Sequence, residues 1–317
     1  MPASGGYVAV STSEGSRAVI AALLANLGIA VSKIVAFIFT GSSSMLSEGL
    51  HSIADTGNQV LLLVGRKRAR RQATDAHPFG YGRARYIYAF IVSIVLFSLG
   101  GVFALYEGWL KIMHPEELNS PLWAFCVLII ALILEAISLR TAVRESNPLR
   151  GRVSWSQFIR GAKSPELPVV LMEDMGALIG LIFALFGVTA AVITADARWD
   201  GAGSVAIGLL LVLIAIVLAI KMKSLLIGES GTTEHIAAIR HALEAGDEIE
   251  RIVHLKTLHL GPDELMVAAK IAVRHDETAA SIARAINNAE ARIRSSVPIA
   301  RVIYLEPDIY IPRSHTK

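Results

Sequence analysis

Glu48, His51 and Asp55 are spaced three and four residues apart, which puts their side chains on one face of an α-helix. Ser44, Ser47, Ser52 and Asn58 fall on or near the same face. Imidazole nitrogen with carboxylate oxygen is a donor set suited to zinc, and after it to manganese, iron or cobalt. These groups bind as neutral imidazole and ionised carboxylate, so protons compete with the metal. A second acidic pair, Glu173 and Asp174, lies in Leu171-Met-Glu-Asp-Met-Gly176. Both sets interrupt long apolar runs, where an unpaired ionisable group costs several kcal/mol at membrane depth and is rarely accidental. Glu173 stands about 100° around the helix from Asp174, so it either joins the donor set, shuttles protons or pairs with an arginine. A single His-x-x-x-Asp pair also serves as a structural hydrogen-bonded pair, and Glu48, near the start of its run, is equally suited to solvent. Two acidic sets in one chain favour the metal reading.

Other polar clusters are weaker candidates. The loop Asp75-Ala-His-Pro-Phe-Gly-Tyr-Gly-Arg83 makes a tight turn through Pro78, Gly80 and Gly82. Asp75 and His77 are candidate ligands there, although docking of an aromatic, glycine-rich loop on helix ends explains the same residues. His254 and His259 fall on opposite faces of an expected strand and so do not share a site. Glu107 and His114 border an outer loop and are read as interfacial. Glu135, followed by Arg140 and Arg144, is read as an ion pair or a snorkelling group in the cytoplasmic half of its span. The one cysteine, Cys126, lies in an apolar block, so an internal disulfide and a Cys-x-x-Cys zinc site are both excluded.

The elements that carry these residues follow from hydropathy. Of 317 residues, 53% are hydrophobic and 18% are charged, which places the chain in the membrane class. The apolar residues form six blocks, each long enough for a transmembrane helix: about 18–40, 43–65, 86–110, 121–143, 167–193 and 200–222. The stripe from Glu48 to Asp55 is on the second block and the Glu173–Asp174 pair on the fifth. Basic residues cluster after the second block (Arg66 to Arg71, Arg83, Arg85), after the fourth (Arg144 to Lys163) and at the end of the sixth (Lys221, Lys223). The positive-inside tendency then makes both termini cytoplasmic. Residues 1–17 read as a short cytoplasmic tail without the basic start of a secretory signal, 18–227 as the six-helix membrane domain, and 228–317 as a cytoplasmic domain. In the last, a helix at Thr232–Ala245, strands at Ile249–Leu260 and Leu265–Val273, a helix at Thr278–Ser295 and a strand at Ala300–Leu305 give an αββαβ, ferredoxin-like α+β unit. The formal net charge of +3 gives no indication of a nucleic-acid partner. No His-Glu-x-x-His motif and no serine–histidine arrangement at membrane depth supports an enzyme.

Taken together, these segments resemble the cation diffusion facilitator family of divalent-metal transporters. The resemblance covers nearly the whole chain. It is carried by Gly49-Leu-His-Ser-Ile-Ala-Asp55, His77-Pro-Phe-Gly-Tyr-Gly-Arg83, Leu105-Tyr-Glu-Gly-Trp109, Asp200 with Ile207-Gly-Leu, and Tyr304-Leu-Glu-Pro-Asp308. It implies a dimeric secondary transporter in the plasma (inner) membrane that exchanges zinc, or a similar ion, for protons near mid-membrane. The metal is then the transported substrate and not a cofactor. The resemblance maps ligands onto His51, Asp55 and Asp174. The family's usual His or Asp four residues before that aspartate is Val170 here, which cannot coordinate. Glu173, Glu48, Ser47 or water is left to supply a fourth donor. In the loop, His77 matches one family ligand position, and Tyr81 stands where some members have a second histidine. The resemblance implies a dimerising cytoplasmic domain, and no two-metal site is matched in it. Val170 also motivates a rival reading, in which the chain keeps the fold as a non-transporting membrane partner or regulator.

Overall fold

In a computed structural model, residues 14–40, 43–115 and 121–309 are described. The chain divides into two compact units. One comprises the described residues up to Lys67 together with Tyr86–Lys223, and the other Arg68–Arg85 with the described residues from Ser224 onward.

The first unit is helical. Its elements are α1 (Glu14–Thr40), α2 (Ser43–Ala69), α3 (Ala84–Val95), a π-helical turn (Leu96–Val102), α4 (Phe103–Met113), α5 (Pro121–Arg150), α6 (Trp155–Gly161), α7 (Glu166–Thr194) and α8 (Arg198–Ile227). Among the described residues, four stretches are long and apolar enough to cross a membrane: Ala84–Met113, Ala124–Arg150, Glu166–Thr194 and Arg198–Ile227. The other two expected spans coincide with α1, which holds a shorter apolar stretch at Val19–Ser32, and α2, whose run is broken by its polar stripe and ends in Arg66-Lys-Arg68. Large apolar side chains such as Leu24, Ile193 and Ile220 face outward. The buried set includes Asn26, Asn58, Gln59, Glu135, Ser138, Glu173 and Asp174. Apolar outside with polar groups turned inward is the arrangement expected where the solvent is lipid.

Several boundaries differ from the sequence reading. The third span is not a uniform α-helix, because a π turn shifts its register before α4. Single-turn π segments of this kind are frequent at functional sites. The fourth span runs on to Arg150 and carries Pro148 in its final turns, where the lost N–H bond disturbs little beyond it. The polar connector between the fourth and fifth spans contains the short helix α6. Ser154 and Gln157 cap its start with a reciprocal capping box, and the Arg150 guanidinium lies 4.5 Å from the centre of the Trp155 ring.

Glycine sets how closely α8 approaches its neighbours. A Cβ on Gly108 would stand 2.8 Å from the carbonyl oxygen of Gly201, and one on Gly208 would stand 2.9 Å from that of Gly101. On another side, a Cβ on Gly187 would stand 2.9 Å from the carbonyl oxygen of Trp199. Backbones so close leave no room for a side chain, which is the packing mode of membrane helices.

The second unit contains α9 (Thr233–Glu244), β1 (Arg251–Gly261), β2 (Glu264–Ala272), α10 (Ala279–Ser296) and β3 (Ala300–Asp308). The sheet order is β1-β2-β3, with β1 and β2 antiparallel and β2 and β3 parallel. The αββαβ order follows from the pattern: Leu265, Val267, Ala269 and Ile271 alternate into the core, while Ile239, Leu243, Ala289 and Ile293 recur at helical spacing. Thr232 and Thr278 cap the two helices. His259 is buried and His254 is exposed, in line with the expected opposite faces. Gly228, at φ +120°, breaks the chain after α8 in a conformation open to glycine. The loop 68–85 packs with this unit. Arg85 pairs with Asp263 at 2.7 Å, and a Cβ on Gly82 would stand 2.8 Å from the carbonyl oxygen of Leu260.

Candidate metal centre

α7 carries two consecutive acids through a fully buried stretch, Leu167 to Asp174. Consecutive positions on a helix point about 100° apart, and the two acids accordingly meet different neighbours. Glu173 turns to α2, where the Asn58 side-chain amide donates to one carboxylate oxygen at 3.0 Å and that of Gln59 donates to the other at 2.8 Å. Asp174 turns to α5, where the Ser138 hydroxyl donates to Oδ2 at 2.6 Å. Glu173 is 5% exposed and Asp174 2%. Asp55 lies within coulombic range of both. Val170, at the position that the family resemblance left without a ligand, is wholly buried.

A cavity of about 130 Å³ opens beside these groups, with Ser52 and Asp55 of α2, Glu107 of α4, Glu135 of α5, Glu173 of α7 and Ser204 of α8 among its polar lining. Glu173 therefore shares a cavity with Asp55, and Val170 does not line it. The π turn contributes Leu96 and Gly100 to the wall. Four acids from four helices thus line one cavity inside an apolar bundle. Such a space favours cations over anions, and each carboxylate in it needs a counter-charge or hydrogen-bond donors.

The expected site residues are only partly assembled. Asp55, Glu173 and Asp174 come together. His51 is on α2, one turn before Asp55, and Glu48 on the turn before that, but the side chains of both lie outside the described residues. Among the described residues, no group of three His, Cys, Asp or Glu side chains closes around one point. Asp75 and His77 are exposed; His77 stacks edge-on with Tyr81 at 4.6 Å, and the loop is held by a Thr74–His77 bridge.

Four residues acquire roles that the sequence reading did not give them. Glu135 is buried and lines the cavity, which corrects its reading as a snorkelling group. Its spacing of three from Ser138, on one helix face, was the available signal. Glu107, read as interfacial, also lines the cavity; Lys111 lies 3.6 Å from it and 3.0 Å from Asp200. Gln59 and Ser138 are hydrogen-bond donors to the two acids of α7 and had no local signature beyond polarity in an apolar run.

Residues 19–227 match the family model of the cation efflux transmembrane domain. The chain is 32% identical over 242 residues to a mitochondrial proton-coupled zinc antiporter of Xenopus laevis, covering 75% of this chain and 43% of the antiporter. It is 24% identical over 266 residues to metal tolerance protein C4 of Arabidopsis thaliana, covering 83% of this chain and 58% of that protein. It is 28% identical over 179 residues to the metal cation efflux system protein CzcD of Cupriavidus metallidurans, covering 56% of this chain and 51% of that protein. The chain thus spans less than half the length of the antiporter it matches. Because the match to the efflux domain takes in α2, α5 and α7, which carry the buried acids and their donors, the chain belongs to the cation diffusion facilitator family.

Proposed function

We propose that the chain is a secondary active transporter that moves divalent metal cations out of the cytoplasm in exchange for protons, zinc first and manganese, cobalt or iron behind it. The observation that carries this reading is the cavity with Asp55 and Glu173 on its wall and Asp174 beside them. The names of the relatives, a proton-coupled zinc antiporter and metal efflux and tolerance proteins, support it. In this reading His51, Asp55 and Asp174 bind the ion, and Glu173 supports the site from the same cavity. Because protons and metal compete for such donors, loading from one side and protonation from the other give exchange. The metal is cargo and no resident cofactor is needed.

The proposed architecture has six spans, with α1 and α2 as the first two. Both termini and a ferredoxin-like 228–317 domain are cytoplasmic, and two copies pair as a homodimer. The expected membrane is the plasma (inner) membrane; the antiporter relatives are named mitochondrial, so fractionation of a tagged chain decides the location.

The test is zinc uptake into proteoliposomes under an imposed proton gradient. Asp55→Ala and Asp174→Ala each reduce uptake by about tenfold or more, at least the loss typical of disturbed metal sites. Unchanged uptake in both variants overturns the assignment. Val170 favours a second reading, a non-transporting partner with the same fold, and parent protein that moves none of the four metals supports it.

A further inference from the structure

Asn58 and Gln59 both donate to Glu173, one to each carboxylate oxygen, at 3.0 and 2.8 Å. Adjacent residues on a helix diverge by about 100°, so two neighbouring side chains converging on one carboxylate is a specific arrangement. All three side chains are buried, Asn58 at 1% and Gln59 at 0% exposure. Both amides present their NH2 groups to Glu173, and their oxygens, Asn58 Oδ1 and Gln59 Oε1, are left without a hydrogen-bond partner. Leaving two buried amide oxygens unmatched is unfavourable. The orientation of both amides is therefore set by Glu173. The two bonds join α2 to α7, the helices that carry Asp55 and Asp174.

We propose that Asn58 and Gln59 are specificity-determining positioning residues, which hold Glu173 as a clasp between α2 and α7 and so fix the spacing of the ion-binding acids. The inference rests on the transport reading above. Glu173 then acts on the ion through the distance it enforces and not as the donor that replaces Val170. A fixed spacing discriminates by ion size: zinc fits, and the larger cadmium ion is disfavoured. Loosening the clasp relaxes that discrimination.

The experiment measures zinc and cadmium uptake by the full chain in proteoliposomes under a proton gradient. Asn58→Ala with Gln59→Ala is expected to lower the zinc-to-cadmium uptake ratio at least fivefold. Glu173→Ala is expected to lower it equally, and the triple variant no further, because the amides act only through Glu173. Glu173→Gln still accepts an amide bond and restores the ratio toward that of the parent. A fold defect lowers uptake of both ions together and leaves the ratio alone, so the ratio separates positioning from stability. The proposal is overturned if the double alanine variant keeps the parent ratio within twofold, or if Glu173→Ala abolishes uptake of both ions as Asp55→Ala does, which makes Glu173 a ligand. Should the parent chain move neither zinc nor cadmium under the proton gradient, the transport reading itself fails, an outcome distinct from either of these.

Discussion

At the scale of single residues, the site depends on how buried acids are held. The Ser138 hydroxyl supplies Asp174 with a short hydrogen bond from α5. Ser138→Ala removes that donor and is expected to weaken zinc affinity by about tenfold, measured by competition against a fluorescent chelator in detergent. Unaltered affinity would show that Asp174 is not oriented through Ser138. Val170 makes a contrasting case. It is wholly buried in an apolar stretch of α7, so Val170→Asp puts a carboxylate where burial is unfavourable unless donors or a cation meet it. That variant is expected to unfold at lower temperature with no gain in zinc affinity, and a tighter zinc complex would contradict the placement. Asp55, Glu173 and Asp174 were legible in the sequence because charge in an apolar run is conspicuous. Their partners were not. The Asn58 and Gln59 bonds close over separations of 115 and 114 residues, and no local pattern encodes which polar groups meet across helices. Glu135 was read as an ion-paired or snorkelling group because arginines follow it in sequence; burial corrects the snorkelling alternative, and its spacing of three from Ser138 was the signal that pointed inward.

At the scale of elements, the close approach of α8 to α4 depends on glycine. Gly201→Leu puts a branched side chain where a single Cβ would already be 2.9 Å from the Gly108 carbonyl oxygen. That Cβ would also stand 3.0 Å from the Ile112 backbone nitrogen, and two backbone groups cannot turn aside as a side chain can, so the helices must separate. The variant is expected to lose its fold in detergent several-fold faster than the parent at one temperature, followed by size-exclusion recovery. The existence of the long helices was legible from hydropathy alone, and the αββαβ order from the switch between two-residue and helical periods. The π turn and the glycine seams were not. A π turn leaves the apolar pattern of a span intact, and a glycine in an apolar run looks the same at a seam as on a lipid-facing surface. The polar connector concealed α6, although Ser154 and Gln157 carried its capping signal.

At the scale of the whole molecule, an apolar unit with buried acids is joined to an α+β unit with its own core. Within the α+β unit, Arg292 donates to Glu248 at 2.7 Å and to the Ala242 carbonyl, tying α10 to α9. The Arg292 hydrogen bond holds the Glu248 carboxyl below its ordinary value of 4.5. A depressed folded value means that the pair contributes fully above the ordinary value and that the contribution is lost as pH falls through the folded one. Both groups are partly exposed, so the contribution is at most about 1 kcal/mol. Glu248→Gln is expected to lower the temperature at which the α+β unit becomes protease-sensitive at neutral pH, and to match the parent once the pH is below the folded value. A gap that persists in acid would assign the effect to packing.

The central claim is that one ion sits between α2 and α7. The most direct measurement is anomalous scattering at the zinc edge from crystals of the full chain grown with zinc. The account predicts a peak within coordination distance of Asp55 and Asp174, absent in Asp174→Ala. A zinc peak confined to Asp75 and His77 or to the rest of the α+β unit, with none between those helices, would contradict it.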